Sequence, residues 1–180
     1  IQSYRQAIRE CDDNNSIEYA EYLNNLAFVN MLNGDPQTAD DMAEHAMLIR
    51  KRLGNLQGLS LSYATLGRIR ESLGDYAKAS QYYRDAAELA KQKQDDENFR
   101  RFQISVAGSE RIASNFKLAR EILDISFETN SDVTRARAYQ QACKIDRDEA
   151  KTLKSLGKDL DRVLLLNQSA LKHAQAALDH

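Results

Sequence analysis

Three histidines (His45, His173 and His180) and two cysteines (Cys11 and Cys143) are the side chains in this 180-residue chain best suited to metal binding, proton transfer or nucleophilic attack. Their spacing assembles none of that chemistry. A zinc hydrolase motif needs two His one helical turn apart with a Glu between them, and no H-E-x-x-H occurs. Neither a P-loop, a G-x-G-x-x-G nor a G-x-S-x-G pattern is present. His45 follows Asp41 by four residues and reads as a surface or packed histidine. The cysteines belong to no C-x-x-C pair and read as buried free thiols of a reducing compartment, with Cys143 structural. Three acid pairs, Asp12-Asp13, Asp40-Asp41 and Asp95-Asp96, could suggest cation binding. Adjacent residues on a helix point in different directions, so they chelate poorly. They read as solvated surface, caps or first-turn charges. No catalytic function, metal or cofactor is expected.

Basic residues accumulate in the second half. Arg100, Arg101, Arg111, Lys117, Arg120, Arg135 and Arg137 are followed by Lys144, Arg147, Lys151, Lys154 and Lys158. A groove that tracks phosphates needs denser charge with stacking rings. Here Asp146, Asp148 and Glu149 interrupt the run and aromatics are sparse, so nucleic acid is not the expected partner. The net charge of −2 supplies no global field for it either. The charge is graded: residues 1–50 carry three Lys/Arg against nine Asp/Glu, and residues 91–180 carry sixteen against fourteen.

The elements that position these residues follow from composition and periodicity. Hydrophobic residues make up 42% and charged residues 29%, which suits a folded chain with a modest core. A single Pro and seven Gly leave helices few interruptions. No 18-residue apolar run exists, so no membrane span is expected. No basic-then-apolar leader is present either. The chain opens on Ile rather than Met, which suggests a fragment of a longer protein.

Shifting the chain by 40 residues against itself exposes a repeat. Leu26, Leu66 and Val106 fall in register, as do Ala27, Gly67 and Ala107. The turn residues Gly34, Gly74 and Ser114 coincide, followed by Asp35, Asp75 and Asn115. Ala39, Ala79 and Ala119 come next, then Ala46, Ala86 and Ser126. Apolar residues recur every three or four positions within each unit, the signature of helices. Small residues stand where two helix backbones must approach closely. Gly34 and Gly74 can close a first helix in the left-handed region, and Asp35 and Asp75 can cap the second. Pro36 suits its first turn. Asn33-Gly34 is a hairpin signal, but its flanks have helical periodicity.

The stretch LNNLAFVNMLNGDPQTADDMAEHAM and its copy YATLGRIRESLGDYAKASQYYRDAA resemble tetratricopeptide repeats. In the copy the resemblance is carried by Leu66, Gly67, Gly74, Tyr76, Ala79, Tyr83 and Ala86, and it covers residues 17–129. The unit length resembles the longer repeats of kinesin light chains, cell-polarity adaptors and the sensor arms of bacterial transcription regulators. The ends follow the pattern with defects. Residues around Tyr4 and Ala7 resemble those around Tyr83 and Ala86, as a second helix without its first. Near the C-terminus SLGKDLDRVLLLNQSALKHA resembles SLGDYAKASQYYRDAAELA with one residue added. The four apolar residues Val163–Leu166 leave that last helix little polar face, which suits a continuing solenoid, a self-contact, a covered end or simple core packing.

The resemblance implies an all-α, right-handed superhelical solenoid of antiparallel helix pairs. One domain over 1–180 is expected, with a partial unit at 1–14 and units at 17–54, 57–94, 97–131 and 133–178. Helices are expected near 3–12, 17–33, 36–52, 56–73, 76–93, 96–113, 116–129, 133–156 and 159–178. It also implies a concave face lined by each first helix, which would bind a protein or an extended peptide. Its candidate contacts are Asn24, Asn25, Phe28 and Met31 in the first unit and Thr65 and Arg68 in the second. Arg101, Ser105 and Arg111 follow in the third, and Lys151 in the fourth. Amides can bond a peptide backbone. Phe28 and Met31 can receive an apolar anchor, and Arg101 and Arg111 can pair with carboxylates of a partner acidic toward the C-terminal half. A clamp for a chaperone's C-terminal carboxylate would use Asn24, Phe28, Thr65, Arg101 and Ser105, of which only Arg101 has the right chemistry. The expected role is a cytoplasmic binding scaffold or adaptor, with a regulatory arm of a larger transcription regulator or ATPase as the alternative. Self-association through Val163–Leu166 is left open.

Overall fold

The computed structural model describes residues 2–179, so His180 lies outside the described residues. They form α1 (Gln2–Glu10), α2 (Ile17–Leu32), α3 (Pro36–Arg52), α4 (Leu56–Ser72), α5 (Tyr76–Gln92), α6 (Asp96–Ile112), α7 (Phe116–Asp124), α8 (Asp132–Ser155) and α9 (Leu160–Leu178). No strand occurs among the described residues. The chain is all-α, as its periodicity implies.

The turns are more regular than the sequence suggests. Gly34, Gly54, Gly74, Gln94 and Ser114 all take positive φ, one every twentieth residue. At each, the following N–H reaches back over the helix end: Asp35 to the Asn30 carbonyl at 3.0 Å, Asn55 to Arg50 at 2.9 Å, Asp75 to Arg70 at 2.9 Å, Asp95 to Ala90 at 2.9 Å and Asn115 to Glu110 at 2.9 Å. This bond satisfies a carbonyl that the helix end would orphan. The residue after each left-handed position then opens the next helix. The Asp35, Asn55 and Asp75 side chains accept from the backbone N–H of Thr38, Gly58 and Lys78. Asn115 makes no such cap and instead donates to Glu110 at 2.8 Å. The 40-residue repeat is thus two 20-residue helix-and-turn halves, and within each unit turns this short place successive helices antiparallel.

The chain packs as two compact units, α1–α5 and α6–α9. In the first, α2 packs on α3, α3 on α4 and α4 on α5, with α1 against α2. Ala20, Leu23, Ala46 and Ile49 form one buried cluster. Ala27, Ala39, Ala43, Leu66 and Ile69 form another. Each buried Leu or Ile contributes about 1.5–3 kcal/mol, while the alanines let the backbones close up. In the second unit α6 packs on α7, α8 lies against both, and α9 pairs with α8. Its core joins Ala107, Ala119, Leu123, Ala138, Ala142 and Ile145.

Two departures from expectation have local causes. Helix α7 stops at Asp124 rather than continuing to residue 129. The Ser126 hydroxyl is buried and donates to the Arg100 carbonyl, and the Arg100 guanidinium donates to the Ile125 carbonyl. These contacts with α6 pull residues 125–127 out of the helix. Asp40 is not solvated. It is 5% exposed and ion-paired with Arg70 of α4, which also reaches Glu44 at 3.0 Å.

Candidate functional site

The first helices α2 and α4 of the first unit carry six of the expected contact residues, and the structure sorts them by accessibility. Asn24 is 7% exposed, and its Oδ1 is enclosed without a hydrogen-bond partner. Its side chain is turned largely into the interior. Asn25, one residue further round the helix, is half-buried and open. Thr65 is also buried, and its hydroxyl donates to the Leu61 carbonyl one turn back. Met31 is half-buried against the cluster of Ala27, Ala39 and Leu66.

Phe28 and Arg68 make the most developed feature of this face. Phe28 is half-buried, Arg68 is exposed, and the guanidinium carbon stands 5.2 Å from the ring centroid. Such stacking contributes roughly 0.5–1 kcal/mol at an open site. It also holds a cation and an aromatic surface side by side on neighbouring helices. Leu61 of α4 is 46% exposed and adds apolar area.

In the second unit Arg101 of α6 is exposed, and its Nη1 donates to Asn98 at 2.9 Å. The Ser105 hydroxyl donates to the Arg101 carbonyl at 3.3 Å. Arg111 differs from expectation: it is ion-paired with Asp148 of α8. An internal carboxylate therefore already occupies the guanidinium that was expected to meet a partner's. Lys151 is exposed, with only a long 3.9 Å approach to Asp148.

Sequence reasoning missed a charged lattice within the second unit. Arg120 of α7 donates to Asp146 at 2.7 Å and to Glu149 at 2.6 Å. Arg162 of α9 reaches the other Glu149 oxygen at 2.7 Å, and His173 Nδ1 lies 2.9 Å from Asp146 Oδ2. Burial pulls the Arg120 pKa down, but its hydrogen bonds to Asp146 and Glu149 outweigh that and raise it overall. These residues bolt α7, α8 and α9 together; their partners lie 13 to 29 residues away, beyond any local motif. An open cleft of about 590 Å³, bordered by Glu97, Arg100, Glu128 and Asn130, was also not foreseen.

The residues with chemical potential elsewhere stand apart. Cys11 and Cys143 are free and half-buried rather than fully buried. His45 is exposed, with its ring edge-on to Tyr19 at 6.1 Å. Among the described residues no three His, Cys, Asp or Glu converge on a metal-sized site. None of the described helices is long and apolar enough to cross a membrane.

Comparison with known proteins yields a consistent set of likenesses. A tetratricopeptide repeat profile matches residues 18–92. The nearly identical TPR-like repeats of a Podosopora anserina kinesin-light-chain candidate superpose with a TM-score of 0.72 at 13% identity, over 98% of this chain and 82% of that one. BtubC (BKLC) from P. vanneervenii superposes with a TM-score of 0.65 at 19% identity, over 97% and 72%. At these identities the likeness is one of fold. No curated protein matches.

Proposed function

We propose that this chain, whose residues 18–92 match a tetratricopeptide repeat profile, is a protein-binding scaffold that takes an extended peptide on the face of its first helices. The observation that carries the reading is the open Phe28 ring with Arg68 stacked on it. A half-buried aromatic beside a cation serves a partner side chain that is apolar or acidic. Asn25 adds an amide that can both donate to and accept from a peptide backbone. The second unit carries an exposed guanidinium of its own on a first helix, Arg101, which can pair with a carboxylate. This assignment rests on Asn25, Phe28 and Arg68 of the first unit, not on the enclosed Asn24 and Thr65.

Panning a random peptide display library against the chain tests it. Selected peptides should share an apolar or aromatic anchor with nearby acidic residues. Phe28→Ala should weaken them about tenfold or more, in line with loss of a central aromatic contact. Circular dichroism should stay unchanged, since Phe28 is only half-buried. Peptides that bind Asn25→Ala and Phe28→Ala variants as tightly as the parent would place the binding face elsewhere.

A further inference from the structure

The last helix presents a second surface. Along α9, Leu160, Leu164, Asn167, Leu171, Ala174 and Leu178 recur at alternating intervals of four and three, which aligns them in one stripe. The leucines in it are 76%, 59%, 74% and 81% exposed. The opposite side of α9 is the one that meets α8: Ala170 is buried there and His173 bonds Asp146. The apolar run at 163–166 accordingly splits, with Val163 and Leu166 half-buried and Leu164 and Leu165 exposed.

The repeat shows what such a stripe is shaped for. Asp159 caps α9 as Asp35 caps α3. Counting from these caps, Leu164, Asn167, Leu171 and Ala174 correspond to Asp40, Ala43, Met47 and Arg50. On α3 that row is closed by α4. Asp40 pairs with Arg70, Ala43 clusters with Leu66 and Ile69, and Arg50 donates to the Gly58 carbonyl at 2.9 Å and the Ser62 hydroxyl at 2.8 Å. Helix α9 therefore carries the seat of a further helix, upholstered with leucine.

The edge of that seat is charged. On α8, Lys144, Arg147, Lys151 and Lys154 recur at intervals of three, four and three, and all four are exposed. Counting back from the turn glycines Gly157 and Gly34, they match Glu21, Asn24, Phe28 and Met31 of α2. At Phe28, the helix seated on α3 lays its Arg68 across the ring. A helix seated on α9 would in the same way run along the basic row.

We infer that the α8–α9 surface receives an amphipathic helix of another protein, with an apolar stripe on α9 and acidic residues along Lys144, Arg147, Lys151 and Lys154. Charge complementarity selects this occupant. Helix α9 carries a single acid, Asp161, so pairing it with α9 of a second copy buries the leucines but offers the four cations of α8 little negative charge. The surface is independent of Phe28 and Arg68, so either binding face can fail without the other.

The test uses two fluorescein-labelled peptides of about 18 residues, a length matching five helical turns. Both carry leucines at alternating four- and three-residue intervals; one has Glu along the flank and the other Lys. Titrated by anisotropy against the whole 180-residue chain, the Glu peptide should bind about tenfold more tightly, the sum of a few exposed ion pairs. Leu164→Glu with Leu171→Glu should abolish binding with helicity unchanged, since both positions are exposed. Lys151→Glu with Lys154→Glu should reverse the preference. Equal binding of the two peptides, a preference that survives the charge swap, or no binding at all overturns the inference. So does a concentration-dependent dimer in sedimentation velocity that the Leu164→Glu, Leu171→Glu variant loses, which would make a second copy the occupant.

Discussion

The ring of Tyr83 lies on Gly67: a Cβ built on that glycine would come within 2.7 Å of the Tyr83 Cε1 and 2.9 Å of its Cδ1. Tyr83 is 2% exposed, and its hydroxyl donates to Glu71 at 3.0 Å, so the ring cannot retreat without breaking that bond. Burial, reinforced by the Glu71 charge and hydrogen bond, raises the Tyr83 pKa and keeps the phenol protonated. The corresponding pair one repeat earlier is Ala27 with Ala43, and one repeat later Ala107 with Leu123. Only where the second helix brings an aromatic ring does the first helix give up its Cβ.

Gly67→Ala should therefore destabilise the chain by about 1–3 kcal/mol, the usual cost of overpacking. That cost exceeds the gain of up to about 1 kcal/mol from replacing a helical glycine. Adding Tyr83→Leu should recover part of the loss, because contacting residues couple non-additively. Urea denaturation of the two single variants and the double measures this directly. Additive losses would mean the ring and the glycine are not in contact.

The left-handed turns give a second prediction. Gln94 (φ 56°) and Ser114 (φ 63°) occupy positions where the other three members of the 20-residue series are glycine. A side chain in this region costs roughly 1–2 kcal/mol, while glycine costs the unfolded chain about 0.5–1 kcal/mol in entropy. Gln94→Gly and Ser114→Gly should each stabilise by about 0.5–1 kcal/mol, read as a rise in the urea midpoint. A loss of stability in both would show that φ at these turns is negative.

These same turns show where the sequence is legible and where it is not. Gly34, Gly74 and Ser114 align at 40 residues because each follows a first helix with similar composition. Gly54 and Gln94 end the second helices, whose sequences differ, so the 20-residue rhythm is visible only in the backbone. Helix faces follow from periodicity, which is why Ala27, Gly67 and Ala107 are all buried as their register implies. Periodicity does not say how far round the helix a polar side chain turns. Asn24 and Asn25 are neighbours with the same chemistry, and one is enclosed while the other is open. Nor does it reveal that Arg111 meets an acid 37 residues away. Such pairings depend on how two helices cross, and the repeat spacing leaves that free.

Asp40 supplies the last prediction, because its titration runs against the habit of paired carboxylates. Burial raises its pKa above the ordinary 3.8, and the opposing pull of Arg70 does not cancel this; Glu44 and Asp41 push in the same direction as burial. A carboxyl whose pKa is raised on folding binds its proton more tightly in the native state. Its contribution to stability is then full below about pH 3.8 and is lost as pH rises through the native value. Asp40→Asn removes the titration. Across the window just above pH 3.8, the stability of the variant should fall less with rising pH, or rise more, than that of the parent. Urea midpoints measured at closely spaced pH values give the comparison. If the parent instead gains stability relative to Asp40→Asn as pH rises, the Arg70 ion pair outweighs burial and the sign is reversed.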